Sequence, residues 1–190
     1  MLEKLPHALG EALSGVRAGL EKTAFHTLAA QAPATLRVTS EAFADDAPIP
    51  ARYTADGKGL SPPLAVAGVP EGAAALALFV EDPDAPSPHP LVHLIAWNLP
   101  PRDRTFPEGD FASPAGDGAR HDLGRNSFLK EGWLPPDPPT GHGPHRYLFQ
   151  VFALARPLDL PASPGRSALL DALHGNVLAK GLLTGRYERR

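Results

Sequence analysis

The chain has 190 residues, a formal net charge of −3 and no cysteine. Its length suits one domain with room for an extension, and its charge gives no electrostatic reason to expect binding to nucleic acid or to an anionic membrane surface. The lack of cysteine excludes disulfides and thiolate zinc sites, while 23 prolines and 18 glycines favour short strands and long loops over a helical bundle.

The first predicted element is an amphipathic helix in residues 2–30. Apolar side chains recur there every three or four positions, in the series Leu2, Leu5, Leu9, Leu13, Val16 and Leu20. Its three glycines cost about 1 kcal/mol each relative to alanine, so the helix needs a surface on which to lie. That surface is either its own domain or a second protomer, and we predict a homodimer formed through this helix.

The chain therefore divides into an N-terminal helical extension, residues 1–32, and a β domain, residues 33–190. The N-terminal segment lacks the continuous apolar run of a secretory signal, and no run reaches the length that spans a membrane. We predict a cytoplasmic protein with no integral membrane association.

Short strands and turns follow in the first part of the β domain. Residues 35–40 alternate as a strand, residues 43–70 are rich in turn formers, and residues 73–80 form an apolar run between turns. Residues 91–99 are apolar on both faces, which is typical of a central strand covered on each side. Residues 100–144 show no periodicity, and loops longer than about 15 residues are usually functional or disordered.

The C-terminal part contains two further strands and a helix. Residues 147–154 have the composition of a strand, and residues 167–180 predict a helix that ends at Gly181. Residues 182–187 predict a short closing strand.

Polar side chains lie where the 147–154 strand leaves a turn rich in glycine and proline. Successive side chains of a strand point to opposite faces, so His145 and Tyr147 share a face with Phe149 and Val151. Two hydrogen-bonding side chains above an apolar floor, on a rigid strand, are suited to a small polar site.

A second polar stretch follows the 73–80 strand, in the sequence Asp-Pro-Asp-Ala-Pro. Each proline restricts itself and the residue before it, so Asp82 and Asp84 are expected to be held in place. His93 is the ionisable residue of the next apolar strand. These residues predict a site built from Asp82, His93, His145 and Tyr147, whereas the other histidines are predicted to be surface or loop residues: His7, His26, His89, His121, His142 and His174.

The order of these motifs resembles the phosphatidylethanolamine-binding protein family, in its bacterial and archaeal branch called Raf-kinase-inhibitor-like. The resemblance covers about residues 36–189. The motifs that carry it are Ile49-Pro-Ala-Arg-Tyr-Thr54, Gly59-Leu-Ser-Pro-Pro-Leu64, Asp82-Pro-Asp-Ala-Pro86, His93, Asn98-Leu-Pro100, Asn126-Ser127, Pro138-Pro-Thr-Gly141, Gly143-Pro-His-Arg-Tyr147, Val177-Leu-Ala-Lys-Gly181 and Gly185-Arg-Tyr-Glu-Arg189.

This resemblance implies an antiparallel β-sandwich with peripheral helices, to which the predicted N-terminal amphipathic helix is added. It also implies a small anion pocket at one end of the sandwich. The ligand-binding residues that match the family are Asp82, Pro86, His93, Pro139, His145 and Tyr147. Members bind phosphate or phosphoethanolamine head groups, and some inhibit kinases or proteases, so a small phosphate-containing ligand and a protein partner are expected.

Two positions depart from the family pattern. Leu94 stands where tryptophan usually follows the strand histidine, which predicts a thinner pocket wall or one rebuilt by Trp97. The proline-rich loop begins Trp133-Leu-Pro-Pro136 and lacks the usual glycine.

The chemistry of the residues agrees with an anion site. Imidazole N–H groups and the Tyr147 hydroxyl can donate hydrogen bonds to an oxyanion, while Asp82 can orient a histidine or meet a ligand's ammonium group. No cofactor is expected.

Three alternatives stay open at this point. A hydrolase-type enzyme could use the Asp/His pair for acid–base chemistry, although a nucleophile is not evident. A metal could bind Asp82, His93 and His145. In a protein-level inhibitor, the proline-rich loop and the N-terminal helix would carry the contacts.

Overall fold

The structure is a computed structural model that describes residues 7–28, 32–113 and 121–189. The described strands are β1 (Arg37–Thr39), β2 (Ala47–Pro48), β3 (Leu64–Ala67), β4 (Ala75–Asp82), β5 (Leu91–Leu99), β6 (Arg104–Phe106), β7 (Asp122–Leu123), β8 (His145–Leu154) and β9 (Val177–Tyr187). The described α-helices are α1 (His7–Leu13), α2 (Ala24–Thr27) and α3 (Arg166–Leu173), with short 3-10 turns at Leu20–Lys22 and Ala51–Tyr53.

The strands form two sheets. The smaller sheet has the order β1-β3-β6, and the larger has the order β2-β9-β8-β4-β5-β7. The long strands β5, β4, β8 and β9 pair antiparallel with their neighbours, whereas β2 pairs parallel with β9. The predicted mainly β class is therefore confirmed; the larger sheet is mixed, and the β-sandwich stays a prediction.

Two hydrophobic clusters lie on opposite faces of the larger sheet. The first joins both sheets, for example Val66 of β3 with Leu78 of β4 and Phe149 of β8. The second lies towards the helices and joins Phe79 and Phe152 to residues of α2 and α3. Strand β5 contributes to both clusters, as its apolar composition on both faces predicts.

The predicted helix over 167–180 is wrong in its C-terminal half. Helix α3 ends at Leu173, Gly175 follows with φ +66°, and β9 begins at Val177. Gly181 lies inside β9 rather than at a helix end. A Cβ at Gly181 would approach the Leu36 carbonyl oxygen to 2.5 Å, so glycine is needed there for close backbone packing.

The continuous helix predicted over 2–30 is not confirmed. Within residues 7–28 the chain forms α1, then non-helical backbone at residues 16–19, then a 3-10 turn and α2. Gly19 has φ +108°, which no α-helix accepts. The rest of that prediction, residues 2–6 and 29–30, lies outside the described residues.

The 100–144 segment is not one loop, because β6 and β7 lie within it. Neither strand shows a periodic pattern, since they have only three and two residues. Among the described residues, no helix has both the length and the apolar composition needed to cross a bilayer.

Candidate ligand-binding site

Three neighbouring strands bring the predicted site residues to one end of the larger sheet. Asp82 is the last residue of β4, whereas His93 lies near the start of β5 and His145 begins β8. Because β4 runs antiparallel to both β5 and β8, its end lies beside their beginnings. Tyr147, two residues into β8, is directed to the same face as His145.

A β-bulge brings His93 into this site. Val80 of β4 pairs with Leu94 of β5, but the next β4 residue, Glu81, pairs with Val92. His93 is therefore the extra, unpaired residue of β5. At this position the side chains of β5 stop alternating between the two faces of the sheet. Without the bulge, His93 would share a face with Ile95, which packs in the second cluster on the opposite side.

A row of hydrogen bonds runs through His145. Its Nδ1 lies 2.7 Å from Asp82 Oδ2, and its Nε2 lies 2.7 Å from His142 Nδ1. The row ends at the backbone, because His142 Nε2 lies 3.2 Å from the Val16 carbonyl oxygen. The other Asp82 oxygen accepts the Asp84 N–H at 2.8 Å. The row leaves His145 little freedom to rotate.

His93 is buried against the proline-rich loop, which we define as residues 133–139. Its Nδ1 lies 2.7 Å from the Leu134 carbonyl oxygen, and its own carbonyl accepts the Leu134 N–H at 2.8 Å. Its other ring nitrogen, Nε2, is buried without a partner among the described residues. Burial lowers the pKa of His93, although the charge of Asp82 acts in the opposite direction.

Tyr147 is fully buried beside His93, with the two ring centroids 5.0 Å apart in an edge-to-face arrangement. Burial raises the pKa of Tyr147, and the charges of Asp82 and Asp137 raise it further. The phenol therefore keeps its proton and can act as a hydrogen-bond donor.

These side chains line one small pocket. Its cavity volume is about 20 Å³. The lining residues are Asp82, Ala85, Pro86, Leu91, His93, Phe128, Leu134, Pro135, Asp137, Pro138, His145 and Tyr147. Five of the six predicted site residues are in this set.

The remaining predicted residue, Pro139, lies just behind the lining. It is buried, and its carbonyl oxygen accepts the His142 N–H at 3.2 Å, while Pro138 forms the wall instead. Trp97 does not rebuild the wall at Leu94, because it packs in the second cluster on the other side of the sheet. Leu134 and Phe128 are the large apolar side chains that line the pocket together with Leu91.

Asp84 stabilises the loop after β4 rather than lining the pocket. Its carboxylate accepts hydrogen bonds from the Arg146 side chain at 2.8 Å and the Arg146 N–H at 2.9 Å, and it pairs with Arg17 at 2.9 Å. Burial opposes its charge, but the bonds from Arg146 outweigh burial and hold the pKa of Asp84 below its usual value. The expectation that Asp84 is held in place is confirmed.

The N-terminal segment, residues 7–28, packs along the rim of the site. The N–H groups of Ala18 and Gly19 donate to the carbonyl oxygens of Ala85 and Pro83, each at 2.9 Å. Helix α1 lies so close to the proline-rich loop's end that a Cβ at Gly10 would collide with the Thr140 carbonyl oxygen. The described part of the extension thus covers its own domain beside the pocket.

His142 is the site residue that sequence reasoning missed. It is only 1% exposed and contacts His145, although we predicted a surface or loop residue. A signal was present, since glycines flank it and it lies three residues before His145; Gly141 and Gly143 have φ +81° and +92°. Burial, and then the charge of His145, lower the pKa of His142.

The other histidines divide into two groups. His26, His89 and His174 are exposed, as predicted, whereas the side chain of His7 lies outside the described part. His121 is not a free surface residue, because its Nε2 lies 2.7 Å from Asp110 Oδ2 in a largely buried pair.

The alternatives that the sequence left open can be compared with this geometry. In the described segments, no group of three or more histidine, cysteine, aspartate or glutamate side chains has an arrangement that could hold a metal ion. Ser127 and Lys130 match the Ser-x-x-Lys pattern of some serine enzymes, but the Ser127 hydroxyl accepts the Val92 N–H at 2.8 Å and so holds the backbone of β5. The Asp82–His145 contact could still orient a general base.

Comparisons with known proteins agree with the motifs. The family model described as phosphatidylethanolamine-binding protein matches residues 39–188. A UPF0098 protein of Pyrococcus abyssi is 40% identical over 152 residues, which are 80% of this chain and 84% of that protein.

Two solved structures are similar to this fold. A phosphatidylethanolamine-binding protein homologue from Chlamydia trachomatis has a TM-score of 0.73 and 34% identity, over 82% of this chain and 99% of that one. E. coli YbcL, described as a member of the mammalian family, has a TM-score of 0.76 and 27% identity, over 83% of this chain and 100% of that one.

Proposed function

Because this chain belongs to the phosphatidylethanolamine-binding protein family, we propose that it binds a small phosphate-containing ligand and thereby modulates a protein partner, such as a kinase or a protease. The single observation that carries the ligand proposal is His93 Nε2, a buried ring nitrogen of a pocket-lining residue that has no partner among the described residues. A buried polar atom left without a hydrogen bond costs about 1–3 kcal/mol, and a polar ligand would remove that cost.

The other lining groups suit a phosphate with an ammonium nearby. Tyr147 can donate its O–H to a phosphoryl oxygen, and His145, held by Asp82, can carry positive charge beside it. The carboxylates of Asp82 and Asp137 repel a highly charged anion but attract an ammonium group. Phosphoethanolamine combines both features. In this proposal the contacts come from Asp82, Pro86, His93, His145 and Tyr147, with Pro139 supporting His142 from behind.

Ligand entry requires the mouth of the pocket to open. The enclosed volume of about 20 Å³ accommodates about one water molecule. Phe128 is 38% exposed at the mouth and Leu134 and Pro135 are partly exposed, so these side chains can move with little loss of packing. A phosphoryl group then displaces water and reaches His93 and Tyr147.

The direct test is calorimetric titration of the full chain with phosphate and with O-phosphoethanolamine at pH 6 and pH 8. We expect binding that is weaker at pH 8 and is lost in His145→Ala, because the imidazole is then missing. His174→Ala, at an exposed position after α3, serves as the matched control and should bind like the wild type. Absence of binding by the wild type at both pH values would refute the ligand proposal.

The protein-partner part of the proposal has its own support. The proline-rich loop and the N-terminal segment lie together at the pocket, so ligand binding can change the surface that a partner meets. The proposal includes a cytoplasmic location and a homodimer through the N-terminal extension. If a captured partner binds His145→Ala as well as it binds the wild type, the pocket does not control the interaction.

A hydrolase is the second candidate, favoured by the 2.7 Å contact between Asp82 and His145. In that function His145 would activate a water molecule, since no serine, threonine or cysteine lines the pocket of the described residues. Release of free phosphate from O-phosphoethanolamine during the titration, detected by phosphorus NMR, would favour this candidate.

A further inference from the structure

His93 has a defined proton arrangement. The Leu134 carbonyl oxygen can only accept a hydrogen bond, so the nitrogen that lies 2.7 Å from it, Nδ1, carries a proton. In a neutral imidazole the other nitrogen then has a lone pair and no proton. His93 therefore offers the pocket a hydrogen-bond acceptor at Nε2.

The surroundings favour the neutral ring. His93 is 3% exposed, and burial lowers its pKa. The ionisable groups that face it are Asp82 from β4, His145 and Tyr147 from β8, and Asp137 from the proline-rich loop, which is paired with Arg189. Asp82 favours the charged ring, whereas the charge of His145 opposes it.

We infer that the pocket selects phosphate monoesters that carry one proton over phosphodiesters, an inference that rests on the proposed function. A singly protonated monoester has a P–OH group that donates to His93 Nε2, while its other oxygens accept from donors such as the Tyr147 hydroxyl. A phosphodiester has no P–OH at neutral pH. Its oxygens would face the lone pair of His93, and two acceptors repel each other.

The charge of the pocket favours the singly protonated form of a monoester over its dianion. Two carboxylates, Asp82 and Asp137, are part of the lining. Because like charges repel strongly at low dielectric, a monoanion enters at lower cost than a dianion. A diester is also a monoanion, so the lone pair of His93 Nε2, and not the charge, disfavours the head group of an intact phospholipid and makes the free monoester the source of the phosphate.

The test compares methyl phosphate with dimethyl phosphate, which differ by one methyl group. We expect dimethyl phosphate to bind the wild type about 10 to 100 times more weakly at pH 6, where about half of the monoester carries one proton; this ratio corresponds to one unsatisfied buried group. The second pKa of a phosphate monoester is about 6. Titrations of methyl phosphate at pH 8, in buffers of different ionisation enthalpy, should show uptake of close to one proton per ligand.

A variant separates the role of His93 from simple packing. His93→Gln provides an amide that can donate, so its preference for the monoester should fall to near one. His174→Gln is the matched control and should keep the wild-type preference. If His93→Gln does not fold, the two wild-type titrations still decide the question.

The outcomes distinguish a failure of the monoester selection from a failure of the proposed phosphate site. Equal affinity for both esters together with no proton uptake would overturn the monoester selection while leaving the phosphate site intact. If neither ester nor inorganic phosphate binds at pH 6 or pH 8, the proposed function fails, and the selection fails with it.

Discussion

At the scale of residues, the row from Asp82 through His145 and His142 to the Val16 carbonyl contains an imbalance of protons. Its three contacts need three protons, because both ends only accept hydrogen bonds. Two neutral imidazoles supply only two. The row is complete when one imidazole carries an extra proton, whose charge the Asp82 carboxylate balances. Loss of that proton removes one of the three bonds.

His142 also competes with a ligand for His145. Its Nδ1 lies 2.7 Å from the one nitrogen of His145 that Asp82 does not engage. We expect His142→Ala to bind phosphate about 2 to 10 times more tightly than the wild type at pH 6, since one net hydrogen bond becomes available to the ligand. Calorimetry measures the change, with His174→Ala as the control. Weaker binding would mean that His142 supports the site instead of blocking it.

At the scale of elements, buried polar side chains of β4, β8 and β9 hold the N-terminal segment. Glu81 accepts the Ala24 N–H at 2.7 Å, and Gln150 accepts the Phe25 N–H at 2.6 Å. Lys180 donates to the Phe25 carbonyl at 3.0 Å and lies 4.3 Å from the centre of its ring. The first N–H groups of helix α2 therefore donate to side chains of the sheet, and the N-cap residue provides no side-chain acceptor for them.

Glu81 is the central residue of this network, so we predict that Glu81→Gln destabilises the fold. Its carboxylate is fully buried and also pairs with Arg166 at 2.8 Å. Removing one partner of a buried ion pair costs about 3–5 kcal/mol, and the loss should appear as a lower midpoint in urea unfolding. Glu41→Gln, at an exposed position, should change stability by less than about 0.5 kcal/mol. A similar stability for both variants would show that the network contributes little.

At the scale of the whole molecule, the N-terminal extension contacts both the rim of the pocket and the larger sheet. It is also the segment through which we predict the homodimer. Its described residues contact their own domain, and Val16 remains 49% exposed on its outer side. The homodimer through this segment stays a prediction. We expect the full chain to have the mass of a dimer in light scattering and a variant lacking residues 1–30 to have that of a monomer. An unchanged association state would refute the dimer.

Much of this protein follows from the sequence alone. Apolar runs between turn residues predicted β5 at its observed bounds, and β4 and β8 within about two residues, because buried central strands carry a strong pattern. Alternation along β8 placed Tyr147, Phe149 and Val151 on one face, as the first cluster confirms. Together with the family motifs, these patterns identified five residues that line the pocket.

Only the tertiary structure decided the rest, for physical reasons that act between distant parts of the chain. The bulge that directs the His93 side chain towards the pocket depends on the register of β4 against β5. The burial of His142 depends on its contact with Val16, which is 126 residues away in the sequence. The helix predicted to Lys180 ends early because the chain from Val177 onward pairs with β8 as strand β9. Such contacts outweigh the intrinsic helix propensity of a short segment. The backbone of the N-terminal segment therefore follows its hydrogen bonds to the buried side chains of Glu81, Gln150 and Lys180 on the larger sheet.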